Sequence, residues 1–189
     1  MEKIPVRKIA RVLYVLVLVT LVCNLIALFL VPTFVALKGN LFELLDIWHD
    51  PQDPVNPLVV TLLMWPNMIL RENIAYEQVL TLFLLFSGCC TAVILWQARR
   101  VLQTILRGEP FAASNAVSLR RAAWACFLIA GAALARVIFS VCYYRSPLPL
   151  ASYNALFVPM FAMGGLLCLV MSALFRQAAE LKAENDLTI

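Results

Sequence analysis

Arg136 is the residue of this 189-residue chain whose type and setting most invite chemistry, because it interrupts an otherwise uncharged stretch from Ala122 to Tyr144. Counting inward from Tyr144 at about 1.5 Å per residue places it ~12 Å below the end of that stretch. In hydrocarbon a guanidinium at such a depth costs about 2.5 to 3.5 kcal/mol on translocon scales, so it needs a partner or a purpose. Two roles follow. It can snorkel outward and pair with Glu77, Asn154 and Asn24, or it can form a substrate or ion site with Asn24. The stretch DIWHDPQD sets the only histidine, His49, among Asp46, Asp50 and Asp53. Its spacing matches no specific metal motif, so a solvated acidic loop is the expectation and no metal is assigned. The six cysteines (Cys23, Cys89, Cys90, Cys126, Cys142 and Cys168) contain no C-x-x-C pair and fall almost wholly inside apolar runs, where they act as small packing residues. No phosphate-binding glycine loop, Ser/His/Asp set or HExxH motif is present. With one histidine, and with the carboxylates outside the apolar runs, the sequence reads as a non-enzyme that needs no cofactor.

The elements that must carry these residues are set by composition. Hydrophobic residues make up 63% of the chain and charged residues 14%, with a mean hydropathy of +0.88. That is too apolar for the surface of a small soluble globule. Uncharged or nearly uncharged stretches run from Val12 to Leu37, Val79 to Ala98, Ala122 to Tyr144 and Ser146 to Phe175, the last crossing over about 151–175. Each reaches the ~20 residues needed to cross a bilayer, and each must be helical to satisfy its own backbone. The expected fold is an all-α integral membrane protein, a single four-helix transmembrane bundle over residues 1–189. The first stretch is much longer than a signal-peptide core and is expected to be retained.

Lys3, Arg7, Lys8 and Arg11 precede the first span, and Arg99, Arg100, Arg107, Arg120 and Arg121 lie between the second and third. Arg176 and Lys182 follow the fourth, while the other side holds only Lys38, Arg71 and Arg145. This asymmetry places both termini in the cytoplasm, in the inner (plasma) membrane, with an inner hairpin over 99–121 and a cytosolic tail over 176–189. The net charge of +4 thus belongs to anionic inner-leaflet lipid and not to nucleic acid. The outer loop 38–78 is acidic, and within it LVVTLLMW, Leu58 to Trp65, is too short to span; Trp48 and Trp65 suit headgroup level.

The inner hairpin is punctuated. The second helix is expected to end at Arg107 with Gly108 as its cap and Pro110 barring continuation, and Ser114 or Asn115 is expected to cap the third. Ala122, Cys126 and Ala130, then Gly164, Cys168 and Ser172, recur at four-residue spacing, and Gly88 and Ala92 do so on the second span. Such faces allow close helix packing and a homo-oligomer. The fourth helix is expected to continue past Leu174 into the tail, with Leu174, Ala178 and Leu181 on one face and Glu180 and Glu184 opposite.

The segments GEPFAASNAVSLRRAAW and FRQAAELKAENDLTI resemble the two most distinctive stretches of the YoaS-like family of bacterial membrane proteins of unknown function. The resemblance rests on Gly108, Pro110, Phe111, Asn115, Leu119, Arg120 and the segment Phe175 to Ile189. It implies four spans, no assigned activity, and a small helix-turn-helix transcription factor as a cytosolic partner. Phe111, Asn115, Arg120, Arg176, Glu180, Leu181, Glu184, Asn185 and Asp186 are the candidate partner-binding residues. The rival expectation is a small oligomeric transporter or channel subunit with a polar path through Arg136, Asn24 and Asn154.

Overall fold

A computed structural model describes residues 6–36 and 75–186. The outer-loop expectations, the acidic cluster around His49 among them, fall outside the described residues. So does the side chain of Glu77. Among the described residues the chain is helical throughout, with no strand. Helix α1 spans Val6–Ala36, α2 Ala75–Arg107, α3 Ala113–Tyr144 and α4 Phe157–Asp186. Two 3-10 turns, Leu148–Ala151 and Tyr153–Leu156, join α3 to α4. All four helices are long and apolar enough to cross a membrane. The 30 residues of α4 extend roughly 45 Å, about one and a half times the hydrocarbon thickness. At least one end therefore projects beyond the apolar layer.

The helices pack in chain order: α1 lies against α2, α2 against α3, and α3 against α4. Most large apolar side chains face outward, as lipid requires, among them Leu16, Ile26, Leu82, Trp124, Leu167 and Val170. The interior belongs to small residues. On α3, Ala122, Cys126 and Ala130 are all buried, as their spacing predicts, and Ala123, Ala125, Ile129 and Ala133 join them. Cys90 of α2 packs with Ala125 and Ile129 at the centre, with Ile94 and Phe161 alongside. Without a hydrophobic force between helices in lipid, this close approach supplies the van der Waals contact that holds them.

On α4 the expected face holds at Ser172, which is buried, and at the half-buried Cys168, but the close-packed glycine is Gly165 instead of Gly164. Gly164 has open space around it, whereas a Cβ on Gly165 would lie 2.8 Å from Cε1 of Phe127. Gly165 is therefore the glycine that admits the aromatic ring of α3. Farther along, the Ser172 hydroxyl donates to the Ala116 carbonyl at 2.7 Å, a buried bond that ties α4 to the first turns of α3.

Between α2 and α3 the turn follows the sequence at one end and departs from it at the other. Gly108 adopts φ +89°, the left-handed region that glycine enters without Cβ strain. Its N–H donates to the Ile105 carbonyl at 3.1 Å, and that of Glu109 donates to Thr104 at 3.0 Å, closing α2 as expected. Neither Ser114 nor Asn115 caps α3. The N-cap is Ala112, with no side-chain hydrogen bond, because the Asn115 side chain is engaged inside the hairpin.

Candidate functional site

The candidate site is the end of the bundle that holds the α2–α3 hairpin, the start of α1 and the end of α4. Asn115 organises it. Only 1% exposed, it donates from Nδ2 to the Pro110 carbonyl at 2.9 Å. Its Oδ1 lies 2.7 Å from the Thr104 hydroxyl. That hydroxyl is also 2.7 Å from the Val101 carbonyl, so its single proton serves one acceptor at a time. Asn115 thus joins the last turn of α2, the turn itself and the first turn of α3. Because it is sealed inside, it positions the hairpin and offers no surface to a partner, which corrects its expected contact role.

Helix α1 is fastened to the same end. Arg7 donates from Nη2 to the Leu106 carbonyl at 3.3 Å, satisfying one of the carbonyls left open at the end of α2. The Tyr14 hydroxyl accepts from Arg99 Nε at 3.3 Å and from Gln103 Nε2 at 3.2 Å. Arg99 also stands 5.0 Å from the ring of Trp96, within cation–π range. Tyr14 and Trp96 were absent from the sequence candidates. The one signal for them is their type, since Tyr and Trp mark the boundaries of membrane spans.

Two concavities flank the first turns of α3. The first, about 450 Å³, lies between α2 and α3 and is bordered by Arg100, Arg107 and Arg121 with polar groups between them. The second, about 680 Å³, lies between α3 and α4. Its walls include Ala116, Val117, Ser172, Ala179 and Ala183, with Arg120, Arg176 and Glu180 at its edges. Arg176 and Glu180 are themselves paired at 2.9 Å, both well exposed, and such a pair contributes only a few tenths of a kcal/mol.

Three of the sequence candidates, Arg120, Arg176 and Glu180, therefore come together on the second groove. Phe111 is half-exposed at the hairpin tip, and Leu174 and Leu181 are exposed on a different face of α4. The tail thus carries two apolar surfaces, a small-residue face lining the groove and the expected leucine stripe on roughly the opposite side of the helix. Glu184 and Asn185 are exposed on the same extension. The side chain of Asp186 falls outside the described residues.

Arg136 is placed elsewhere. Its guanidinium carbon lies 4.8 Å from the ring centroid of Phe83 on α2. A cation–π contact of about 0.5 to 2 kcal/mol offsets part of the cost of its depth. Asn24 is on α1, which packs against α2, and its Oδ1 is buried with no hydrogen-bond partner among the described residues. Asn154 is exposed in a 3-10 turn. No hydrogen bond among the described residues joins these three. Above Arg136, Tyr76, Tyr143 and Tyr144 cluster with centroids 5.2 to 5.9 Å apart, an aromatic collar suited to the far membrane boundary. No group of His, Cys, Asp and Glu able to hold a metal occurs among the described residues.

Residues 52–189 match the family described as Protein of unknown function (DUF2975). The match takes in α2, α3, α4 and the turn between α2 and α3, while α1 precedes it. No curated protein and no solved structure matches the chain. The chain belongs to the DUF2975 family.

Proposed function

We propose that this DUF2975 protein is a non-enzymatic membrane anchor that docks a helix of a cytosolic regulator in the groove between α3 and α4. Both termini and the hairpin face the cytoplasm in this reading, as the Lys and Arg distribution requires. The observation that carries it is the extension of α4. A helix that served only to cross the bilayer could end near Phe175, yet α4 continues to Asp186 and walls a groove with Ala179 and Ala183.

The chemistry of the groove defines its occupant. Small side chains line its floor and guanidinium groups edge it, which suits an amphipathic helix carrying apolar anchors flanked by carboxylates. A small helix-turn-helix transcription factor, the partner implied by the family resemblance, would supply such a helix and be held at the membrane.

Substitution of Ala179→Trp tests the groove directly. A bulky ring there fills the space an incoming helix needs, so capture of the cytosolic partner by tagged protein should fall at least about tenfold, equivalent to ~1.4 kcal/mol. Leu167→Trp, on the lipid-facing surface, should leave capture unchanged. Equal capture by both variants and the unaltered chain would remove the groove as the docking site.

A further inference from the structure

The concavity between α2 and α3 stands apart from the docking groove and has its own chemistry. Helix α2 contributes Arg100, Gln103, Thr104 and Arg107, and α3 contributes Ser114, Val117, Ser118 and Arg121, with the buried Asn115 at the base. The α2 residues and the other four α3 residues each follow the i, i+3, i+4, i+7 spacing of one helix face. In an antiparallel pair turning at Gly108, Arg100 lies level with Arg121, and Arg107 lies level with Ser114. No carboxylate borders the space. Glu109 is in the turn, exposed and outside it. Among the described residues no ion pair is formed by Arg100, Arg107 or Arg121.

Three arginines facing one polar space repel one another unless an anion lies between them. The concavity begins two residues beyond Ala98 on α2 and one residue before Ala122 on α3, where the uncharged stretches end. From there it rises seven residues along each helix, roughly 10 Å, which spans the headgroup layer. We propose that this pocket binds the glycerol-phosphate headgroup of an anionic phospholipid. Arg100 and Arg121 clamp the phosphate through paired N–H donors, the geometry in which guanidinium exceeds ammonium. Arg107 adds a third positive charge at the level of the turn, and the Ser114 and Ser118 hydroxyls meet the glycerol hydroxyls. The headgroup then bridges α2 and α3 at the hairpin that Asn115 shapes. Because the site shares only Val117 with the docking groove, the two proposals stand or fall separately.

The test uses the full chain purified in detergent, with native mass spectrometry of the protein after addition of phosphatidylglycerol, phosphatidylcholine or soluble sn-glycerol 3-phosphate. Phosphatidylglycerol should be retained in preference to phosphatidylcholine. The triple substitution Arg100→Gln, Arg107→Gln and Arg121→Gln should lower its retention at least about tenfold, the loss expected for several charge-assisted hydrogen bonds. Lys8→Gln, Arg11→Gln and Lys182→Gln, which removes the same charge from exposed positions outside both concavities, should leave retention unchanged. If the Gln triple does not fold, the corresponding Arg→Lys triple preserves the charge and should still bind several-fold more weakly, because the paired donors are lost. Equal loss in pocket and control triples, or no loss in the pocket triple, would overturn the site. Displacement of the lipid by equimolar sn-glycerol 3-phosphate would overturn the lipid as its ligand and assign the pocket to a free phosphate ester.

Discussion

Ending the chain at Phe175 should abolish capture of the cytosolic partner while leaving the thermal midpoint of the purified protein nearly unchanged. The two halves of this expectation have separate physical causes. Residues 176–186 contribute Ala179 and Ala183 to one wall of the groove, together with Arg176 and Glu180 at its edge. Removing them takes away the α4 wall beyond Ser172, next to the start of α3 at Ala113. Stability is another matter, because the extension is almost wholly exposed. Leu181 is 66% exposed, and the ion pair Arg176–Glu180 is open to water. A surface pair at this spacing is worth about 0.3 to 0.5 kcal/mol. The bond that locks α4 to α3, from Ser172 to Ala116, survives the truncation. The folded fraction, followed by size-exclusion chromatography and thermal unfolding in detergent, should therefore stay constant while partner recovery drops to background. A truncated chain that still recovered the partner would move the docking surface to the hairpin tip at Phe111.

Replacing Asn115 by Ala should have the opposite profile, with a large loss of stability arising from a residue that meets no partner. The substitution deletes the bond to the Pro110 carbonyl and leaves that carbonyl without its donor, while the Thr104 hydroxyl keeps Val101 as its acceptor. Together with the cavity left at a buried site, this predicts a loss of about 1 to 3 kcal/mol. The hairpin should open first, since Asn115 links α2, the turn and α3. Asn115→Asp is the informative companion. It keeps the acceptor for Thr104 but loses the donor to Pro110 and adds a buried charge, so it should be no better than Ala. A midpoint shift below about 1 °C for both would show that the hairpin is held by helix packing alone.

The contrast between these two residues shows what the sequence makes legible. The number of spans was readable because hydrocarbon imposes length and apolarity on any crossing helix. The stop at Arg107 was readable because Gly108 and Pro110 act on the backbone locally. The continuation of α4 to Asp186 was readable from helix propensity. Asn115 was marked as notable, but its duty was hidden. An Asn just inside a helix suits a cap or a surface contact equally well, and only the antiparallel return of α3 brings Thr104 and Pro110 within reach. The choice of Gly165 over Gly164 depends on the rotation of α4 against Phe127, and neighbouring glycines carry no periodic signal to fix it. Arg136 was identified as costly, and its amide candidates, Asn24 and Asn154, were chosen by polarity. Phe83, the ring that meets it, is one apolar residue among many on α2. Tyr14 and its two donors required the pairing of α1 with α2, which no local pattern encodes.

The most direct test of cytosolic docking is a site-specific photo-crosslinking scan in intact cells. A photoreactive residue is placed in turn at Ala183 in the groove, at Leu167 on the lipid face and at Tyr144 on the aromatic collar, and adducts are identified by mass spectrometry. The account predicts a discrete adduct with a small cytosolic protein from Ala183 and none from Leu167 or Tyr144. Protein adducts from Tyr144 with none from Ala183 would contradict it, because the binding end would then be the opposite one.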